Sequence, residues 1–359
     1  MKKEILLSNI ESVYRNLLNS NLPMVKLRDS TILITGASGF VGSMITNFFL
    51  NLNEKHSYNI DLILLVRDKQ KLQEKLVYAL SKYTTVIEQD IEELDISILS
   101  NVNIDYIFHL AAPTTSSYFI EYPIETANSI IEGTKNILNI AKKNTIKKFF
   151  NFSSIEVYGQ FPNEGELLKE NMLGNIDIYN LRSSYPLAKR IAEYYCFSYS
   201  QIFQIPAISI RLAQTIGIGV DENDTRVFCQ FARSIIQSKD IVLNTDGSQA
   251  LCYINILDVL ESIFYILFSD IYTGCINLVH NQSEKENIKT IKELASYCVE
   301  NLSDNKINLV FDIDYNKNKK YIKTSRNLDN KKLRDLGYIP KISIEESMMQ
   351  LVKYMKNEK

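Results

Sequence analysis

One short segment near the start of the chain constrains the fold most: an apolar, strand-like run followed by closely spaced glycines. Residues 31–34 (TILI) have the composition of a buried strand, and residues 35–42 (TGASGFVG) lead from it into a helical pattern that continues to Leu50. Glycine permits the tight turn and the close approach of backbones that this connection requires. The N–H groups that open the helix are suited to phosphate. The segment therefore predicts a dinucleotide site that is formed by Gly36, Ser38, Gly39, Phe40, Val41 and Gly42.

Strand-like and helix-like patterns alternate from this segment to Arg211. Further apolar runs occupy residues 61–66, 85–90, 106–110, 148–152 and 207–211. Continuous apolar strands separated by helices are typical of a parallel, doubly wound α/β sheet, the Rossmann arrangement. Beyond Arg211 the pattern is less regular and predicts a smaller mixed α/β lobe. We expect an N-terminal helical extension (1–28), a dinucleotide-binding domain (29–211, with a return segment near 250–280) and a substrate-binding lobe (212–359).

Charge and composition narrow the classes of partner. The chain has 359 residues and a formal net charge of −2, which gives no electrostatic case for nucleic acid or an anionic membrane. No apolar run approaches the length of a membrane span. The five cysteines are scattered and the chain has three histidines, so we expect no metal site and a reducing, cytoplasmic location.

A second motif lies far downstream and predicts proton transfer. Tyr185 and Lys189 are four residues apart, so they share one face of a helix. An ammonium near the phenol is expected to lower the pKa of the tyrosine from its ordinary value near 10. Tyr185 could then exchange a proton with a sugar hydroxyl, while Lys189 also bonds the nicotinamide ribose. Ser154, at the end of the fifth strand, is expected to polarise the same oxygen.

Together these motifs resemble the extended short-chain dehydrogenases/reductases, which include nucleotide-sugar epimerases, dehydratases, decarboxylases and ketoreductases. The resemblance runs from Thr31 to about Pro340 and includes the segments 109–112 (HLAA), 153–159 (SSIEVYG), 246–249 (DGSQ) and 332–340 (KLRDLGYIP). It implies a nucleotide-sugar substrate. It also implies a homodimer that pairs through helices at about 124–142 and 185–201.

The choice of cofactor depends on the end of the second strand. An acidic residue there would bind the ribose hydroxyls of NAD, but this chain has Arg67 followed by Asp68. A guanidinium can pair with a 2′-phosphate, so the sequence favours NADP(H), with NAD(H) possible through Asp68. Other residues expected at the cofactor are Asp90, Ile91, Leu110, Ala111 and Ala112.

Departures from the resemblance bear on the reaction. Glu156 keeps the possible base for C5 of the sugar, but Ile155 stands where dehydrating relatives have an acidic proton donor, which disfavours a 4,6-dehydratase. Ala250 and Leu251 occupy the place of an arginine that binds substrate diphosphate and that decarboxylating relatives use. The residues expected to bind substrate instead are Thr114, Arg182, Gln214 and Arg226.

Two functions remain open. The sequence favours an NADPH-dependent reductase of a nucleotide-linked keto sugar, such as a CDP-linked ketose, in bacterial surface-polysaccharide synthesis. The alternative is a nucleotide-sugar 4-epimerase with tightly bound NAD or, less favoured, a dehydratase or decarboxylase. The intact Ser154, Tyr185 and Lys189 argue against an inactive dinucleotide sensor.

Overall fold

The computed structural model describes residues 1–161, 166–280, 289–304, 307–313 and 327–356. The helices are α1 (Lys2–Asn19), α2 (Phe40–His56), α3 (Lys69–Lys75), α4 (Ser116–Glu121), α5 (Pro123–Lys142), α6 (Ser184–Phe203), α7 (Val227–Ile236), α8 (Ile256–Leu267), α9 (Ile291–Asn301), α10 (Lys331–Asp335) and α11 (Ile344–Lys356). The strands are β1 (Thr31–Thr35), β2 (Asp61–Val66), β3 (Thr84–Glu88), β4 (Tyr106–His109), β5 (Lys148–Ser154), β6 (Leu167–Leu168), β7 (Ala207–Leu212), β8 (Gln214–Ile216), β9 (Ile241–Leu243), β10 (Ala250–Leu251), β11 (Tyr253–Asn255), β12 (Gly274–Leu278), β13 (Lys289–Thr290), β14 (Leu309–Phe311) and β15 (Asn327–Leu328).

A seven-stranded parallel sheet forms the centre of the molecule, which confirms the predicted fold class. Its strand order is β3-β2-β1-β4-β5-β7-β12, and every neighbouring pair is parallel. The order reverses between β1 and β4, and at such a point the carboxyl ends of the strands leave a crevice for a ligand. The glycine turn follows β1, and Ser154 ends β5, so both belong to this edge.

Both faces of the sheet are buried, as the continuous apolar strands require. Because side chains alternate along a strand, Ile32 and Ile34 join one hydrophobic cluster, and Leu33 joins the other. The first cluster contains aromatic side chains of α2 and α8, with the Phe48 and Phe264 rings 4.6 Å apart. The second cluster contains residues of α5 and α6.

The N-terminal segment forms a helix that packs against α2 and α8 on one side of the main sheet. Leu6, Ile10, Val13 and Leu17 of α1 are buried in the same cluster as α2 and α8. Polar contacts frame this apolar face: Asn16 Nδ2 donates to Glu261 Oε1 at 2.6 Å. The sequence predicted a helical extension over residues 1–28, and the structure shows a helix over Lys2–Asn19 and the elements that it contacts.

The C-terminal region consists of small two-stranded sheets and helices, and its strands and helices partly return to the main sheet. Strand β12 extends the main sheet beside β7. Helix α8 packs on one face of this sheet. Asp258 of α8 accepts from Tyr338 Oη at 2.7 Å and from the amides of Lys341 and Ile342, which fixes the chain where it enters α11. Among the described residues, every helix is too short or too polar to span a lipid bilayer.

Candidate active site

The glycine turn has the geometry of a phosphate cradle. Gly36 has φ +68°, and a Cβ there would lie 2.8 Å from the backbone nitrogen of Ala111. A Cβ on Gly42 would overlap the carbonyl oxygen of Gly36. Helix α2 begins at Phe40 with Gly39 as its N-cap, so no capping side chain accepts from the first amides. These amides are therefore available to an anion, and the residues fit the pyrophosphate of a dinucleotide.

A buried hydrogen-bond chain fixes the neighbouring loop. Thr134 Oγ1 donates to the carbonyl of Ile130, so it accepts from His109 Nε2 at 3.1 Å. His109 Nδ1 then accepts from Thr35 Oγ1 at 2.9 Å, and that oxygen accepts from the amides of Leu110 and Ala111. Burial, and secondarily the charge of Lys189, lowers the pKa of His109 to about 3. His109 is thus a neutral structural residue, and it holds Leu110 and Ala111 against the glycine turn.

Arg67 and Asp68 follow β2, and Ile91 follows β3. Arg67 is exposed, and its Nε lies 3.9 Å from Asp90 Oδ1. Asp68 caps α3 by accepting from the amide of Lys71 at 2.8 Å. Ile91 is buried and packs against α5 at Gly133.

The residues that the sequence predicted for proton transfer come together at the carboxyl edge of the sheet. Tyr185 lies in the first turn of α6, is 8% exposed and stacks on Phe119 with ring centroids 4.3 Å apart. The Ser154 side chain lies close enough to Tyr185 to influence the pKa of the phenol. Lys189 Nζ lies 5.9 Å from the centroid of the tyrosine ring and donates to the carbonyl of Phe152 at 2.7 Å. The predicted shared face of Tyr185 and Lys189 is therefore present.

The electrostatics of the tyrosine differ from the sequence prediction. Burial raises the pKa of Tyr185, because a phenolate loses hydration, and the charge of Glu156 adds to this. The Ser154 side chain and the charge of Arg182 act in the opposite direction and lower this pKa. The expectation that Lys189 lowers this pKa below its ordinary value was therefore wrong for the protein alone. Burial also lowers the pKa of Lys189 itself, to about 8.

Glu156 and Arg182, predicted in separate roles, form one ion pair. Arg182 donates to both carboxylate oxygens of Glu156, at 2.7 and 2.9 Å. The guanidinium also lies 5.9 Å from the centroid of the Phe119 ring, on which Tyr185 stacks. Glu156 therefore neutralises much of the charge of Arg182, so the guanidinium is half of an ion pair and not a lone cation.

The other predicted substrate residues lie at different places around the edge. Arg226 pairs with Asp224 at 2.7 Å and lies 5.3 Å from the centroid of the Phe40 ring, so it adjoins the start of α2. Gln214 begins β8 and is exposed. Thr114 is exposed in the loop between β4 and α4. In the described part of the chain, no three His, Cys, Asp or Glu side chains converge as metal ligands would.

Sequence reasoning missed several residues around the site. Phe119 comes from α4, and no local pattern marks a ring that will stack on a distant tyrosine. Glu193 and Arg211 form a bidentate buried ion pair behind Lys189. The position of Glu193, four residues after Lys189, was a usable signal, since it places both side chains on one face of α6.

The fold and this site define an enzyme of the extended short-chain dehydrogenase/reductase group. The sequence profile of the NAD dependent epimerase/dehydratase family matches residues 32–271. The chain therefore belongs to that family.

Curated relatives and solved structures agree with this assignment. UDP-glucuronic acid decarboxylase 6 of Arabidopsis thaliana is 27% identical over 272 residues, 75% of each chain. The UDP-N-acetylglucosamine 4-epimerase of Methanobrevibacter ruminantium M1 has a TM-score of 0.78 at 23% identity, covering 92% of this chain and 100% of that one. The UDP-glucuronic acid 4-epimerase of Bacillus cereus, in complex with NAD, has a TM-score of 0.72 at 22% identity, covering 91% and 98%. These relatives favour the epimerase or decarboxylase alternative over the reductase.

Proposed function

We propose that this protein is an NAD(H)-dependent 4-epimerase of a nucleotide-activated sugar. The observation that carries the proposal is the convergence of Ser154, Tyr185 and Lys189 at the edge of the sheet that also carries the glycine turn. The 4-epimerases among the structural neighbours support the reaction type. A reductase would use the same three residues, but none of the relatives reported above is one.

The residues of the chain divide the chemistry among them. Bound nicotinamide supplies the group that accepts and returns hydride. In its phenolate form, Tyr185 would take the proton of the sugar 4-hydroxyl as C4 becomes a ketone, and the resulting phenol would return the proton when C4 is reduced on its other face. Ser154 orients that oxygen, and Lys189 holds positive charge beside the phenol. The substrate and product therefore differ only in the configuration at C4.

The cofactor belongs to the same proposal. Relatives crystallised with NAD support NAD(H). Arg67, an exposed cation directly after β2, supports the NADP(H) preference that the sequence predicted. Its ion pair with Asp90 reduces the charge that it could offer to a 2′-phosphate, so we place NAD(H) first.

Decarboxylation of a nucleotide uronic acid is the second candidate. The decarboxylase relatives favour it, and Glu156 lies close enough to Tyr185 to affect its pKa. Ala250 and Leu251 count against it, because the resemblance places the decarboxylating arginine there. Neither alanine nor leucine can supply its charge.

Product analysis separates the candidates. The purified protein is incubated with UDP-glucose, UDP-N-acetylglucosamine or UDP-glucuronic acid, products are identified by NMR, and any cofactor released by acid is identified by mass spectrometry. We expect inversion at C4, NAD as the released cofactor and no net change in nicotinamide absorbance. A UDP-pentose with release of carbon dioxide would identify a decarboxylase, and stoichiometric consumption of NADPH would identify a reductase.

Replacing Tyr185 tests the role of its hydroxyl. Tyr185→Phe removes one oxygen and keeps the stack on Phe119, so turnover should fall by about 10²–10⁴-fold while NADH binding is retained. Tyr179→Phe is the matched control, because Tyr179 is 92% exposed and its hydroxyl has no part in the proposed chemistry. Equal turnover by Tyr185→Phe and the control would contradict the assignment.

A further inference from the structure

A buried ion pair lies directly behind the proton-transfer residues. The Glu193 carboxylate accepts from Arg211 Nε at 3.0 Å and from Nη2 at 2.8 Å. It also accepts from Ser153 Oγ at 2.5 Å. The Arg211 side chain is 4% exposed and that of Glu193 is 14% exposed, so the pair is largely removed from water.

Further contacts satisfy the arginine. Arg211 Nη1 donates to the carbonyl of Glu170 at 2.9 Å, and the guanidinium lies 4.8 Å from the centroid of the Tyr158 ring. Burying two charges is costly, and apolar residues of similar volume often serve stability equally well. A contribution to stability is therefore a weak explanation for this ion pair. Its location next to the proton-transfer residues points to a role at that site.

The pair touches both elements that carry the proposed chemistry. Ser153 immediately precedes Ser154 on β5, and its hydrogen bond to Glu193 joins the end of that strand to α6. Glu193 also lies one helical turn after Lys189. The ammonium of Lys189 donates to the carbonyl of Phe152, the residue before Ser153. The Glu193 carboxylate therefore lies between the end of β5, which it contacts through Ser153, and the helical turn that carries Lys189.

We propose that Glu193 is a positioning residue for the proton-transfer site: through Ser153 it fixes the strand end that presents Ser154, and it places a carboxylate one helical turn from Lys189. Arg211 anchors the carboxylate in place. This inference rests on the role proposed above for Lys189. It adds Glu193 as the residue that supports that role.

The charged and titratable groups around Lys189 are consistent with this role. Burial lowers the pKa of Lys189, and the charge of Glu193 opposes that effect, followed by Cys196 on the same helix. His109 of β4 faces the amine but is neutral, and Tyr185 lies on its other side. Of these neighbours, Glu193 is the only carboxylate.

The test measures NADH binding by fluorescence from pH 6 to pH 9.5, which needs no sugar substrate. In the wild type, binding should weaken as Lys189 loses its proton near pH 8. Glu193→Gln keeps the size and an acceptor for Ser153 but removes the charge, so the midpoint should move about one pH unit lower. Glu193→Asp, which keeps the charge, should retain the wild-type midpoint.

Two further variants separate charge from folding. Glu193→Gln combined with Arg211→Met leaves no buried arginine unpaired, and it should show the same shift as Glu193→Gln. Ser153→Ala keeps the carboxylate, so the midpoint should stay while turnover falls several-fold. An unmoved midpoint in both charge variants, or failure of both to fold, would overturn the proposal. Absence of epimerisation by the wild type would overturn the proposed function and leave this binding measurement intact.

Discussion

Lys189 shows, at the scale of a single residue, how a functional group can oppose stability. It is 5% exposed, and burial lowers its pKa to about 8, whereas a lysine in an unfolded chain titrates near 10.4. The unfolded chain binds the proton more tightly between these two values, so this residue makes stability rise with pH through that window. Below pH 8 the folded protein bears the full cost, about 3 kcal/mol.

Lys189→Met should therefore abolish turnover and stabilise the fold. The loss of the hydrogen bond to Phe152 offsets part of the gain, so we expect a free energy of unfolding about 1–2 kcal/mol higher at pH 7. Urea unfolding measures this, with the exposed Lys135→Met as control, for which the change should stay within about 0.5 kcal/mol. A less stable Lys189→Met would show that its hydrogen bond outweighs the cost of burial.

Residues differ in how far the sequence could predict them. The spacing of Tyr185 and Lys189 was sufficient to place both on one helical face, and the glycine spacing was sufficient for the turn. Phe119, Glu156 and Arg182 meet across three separate segments, so their stack and ion pair depend on tertiary packing. The sequence also failed to predict the raised pKa of Tyr185. That pKa depends on burial of the phenol, and the four-residue spacing between Tyr185 and Lys189 does not show whether the phenol is buried.

At the scale of elements, α1 shows the limit of the sequence prediction. The sequence predicted a helix in this segment but not the elements against which its buried face packs. The apolar spacing indicated a helix with one buried side. Its neighbours, α2 and α8, lie far apart in sequence and meet only in the folded protein, where the Phe48 and Phe264 rings lie 4.6 Å apart. The strands were predictable because parallel strands buried on both faces need continuous apolar runs. The short strands of the C-terminal region lack that constraint, and the sequence did not reveal them.

The packing of α1 can be tested by a matched pair of truncations. Ile10 is fully buried and Leu18 is 44% exposed on the same helix. Ile10→Ala should lower the free energy of unfolding by about 2–5 kcal/mol, and Leu18→Ala should change it by less than about 0.5 kcal/mol. Thermal or urea unfolding of the whole chain checks both. Similar small effects would mean that α1 contributes little to the cooperative core.

The whole molecule presents an apolar stripe on α6 that bears on the predicted homodimer. Ile191, Tyr194 and Phe197 recur every three residues on this helix and are 40%, 65% and 51% exposed. Helices α5 and α6 pack side by side, as the dimer implied by the resemblance would require. The homodimer remains a prediction, since a single chain shows the surface and not its occupant.

Light scattering after gel filtration would test this surface. The wild type should elute as a dimer, and Tyr194→Glu should shift it to a monomer because a carboxylate would be buried at the contact. Met349→Glu is a suitable control, since Met349 is 44% exposed on α11, away from the stripe. A dimer that persists in Tyr194→Glu would exclude α6 as the interface.

The parallel sheet also has a consequence for how such a protein can diverge. Its strands deliver the glycine turn, Ser154 and the loop after β4 to a single rim, while the packed layers lie behind them. Insertions or exchanges on that rim, such as around the exposed Tyr179 and Leu181, can alter which molecule is accepted without disturbing the layers. New specificities should therefore arise by rewriting loops on an inherited scaffold, at little risk to the ability to fold.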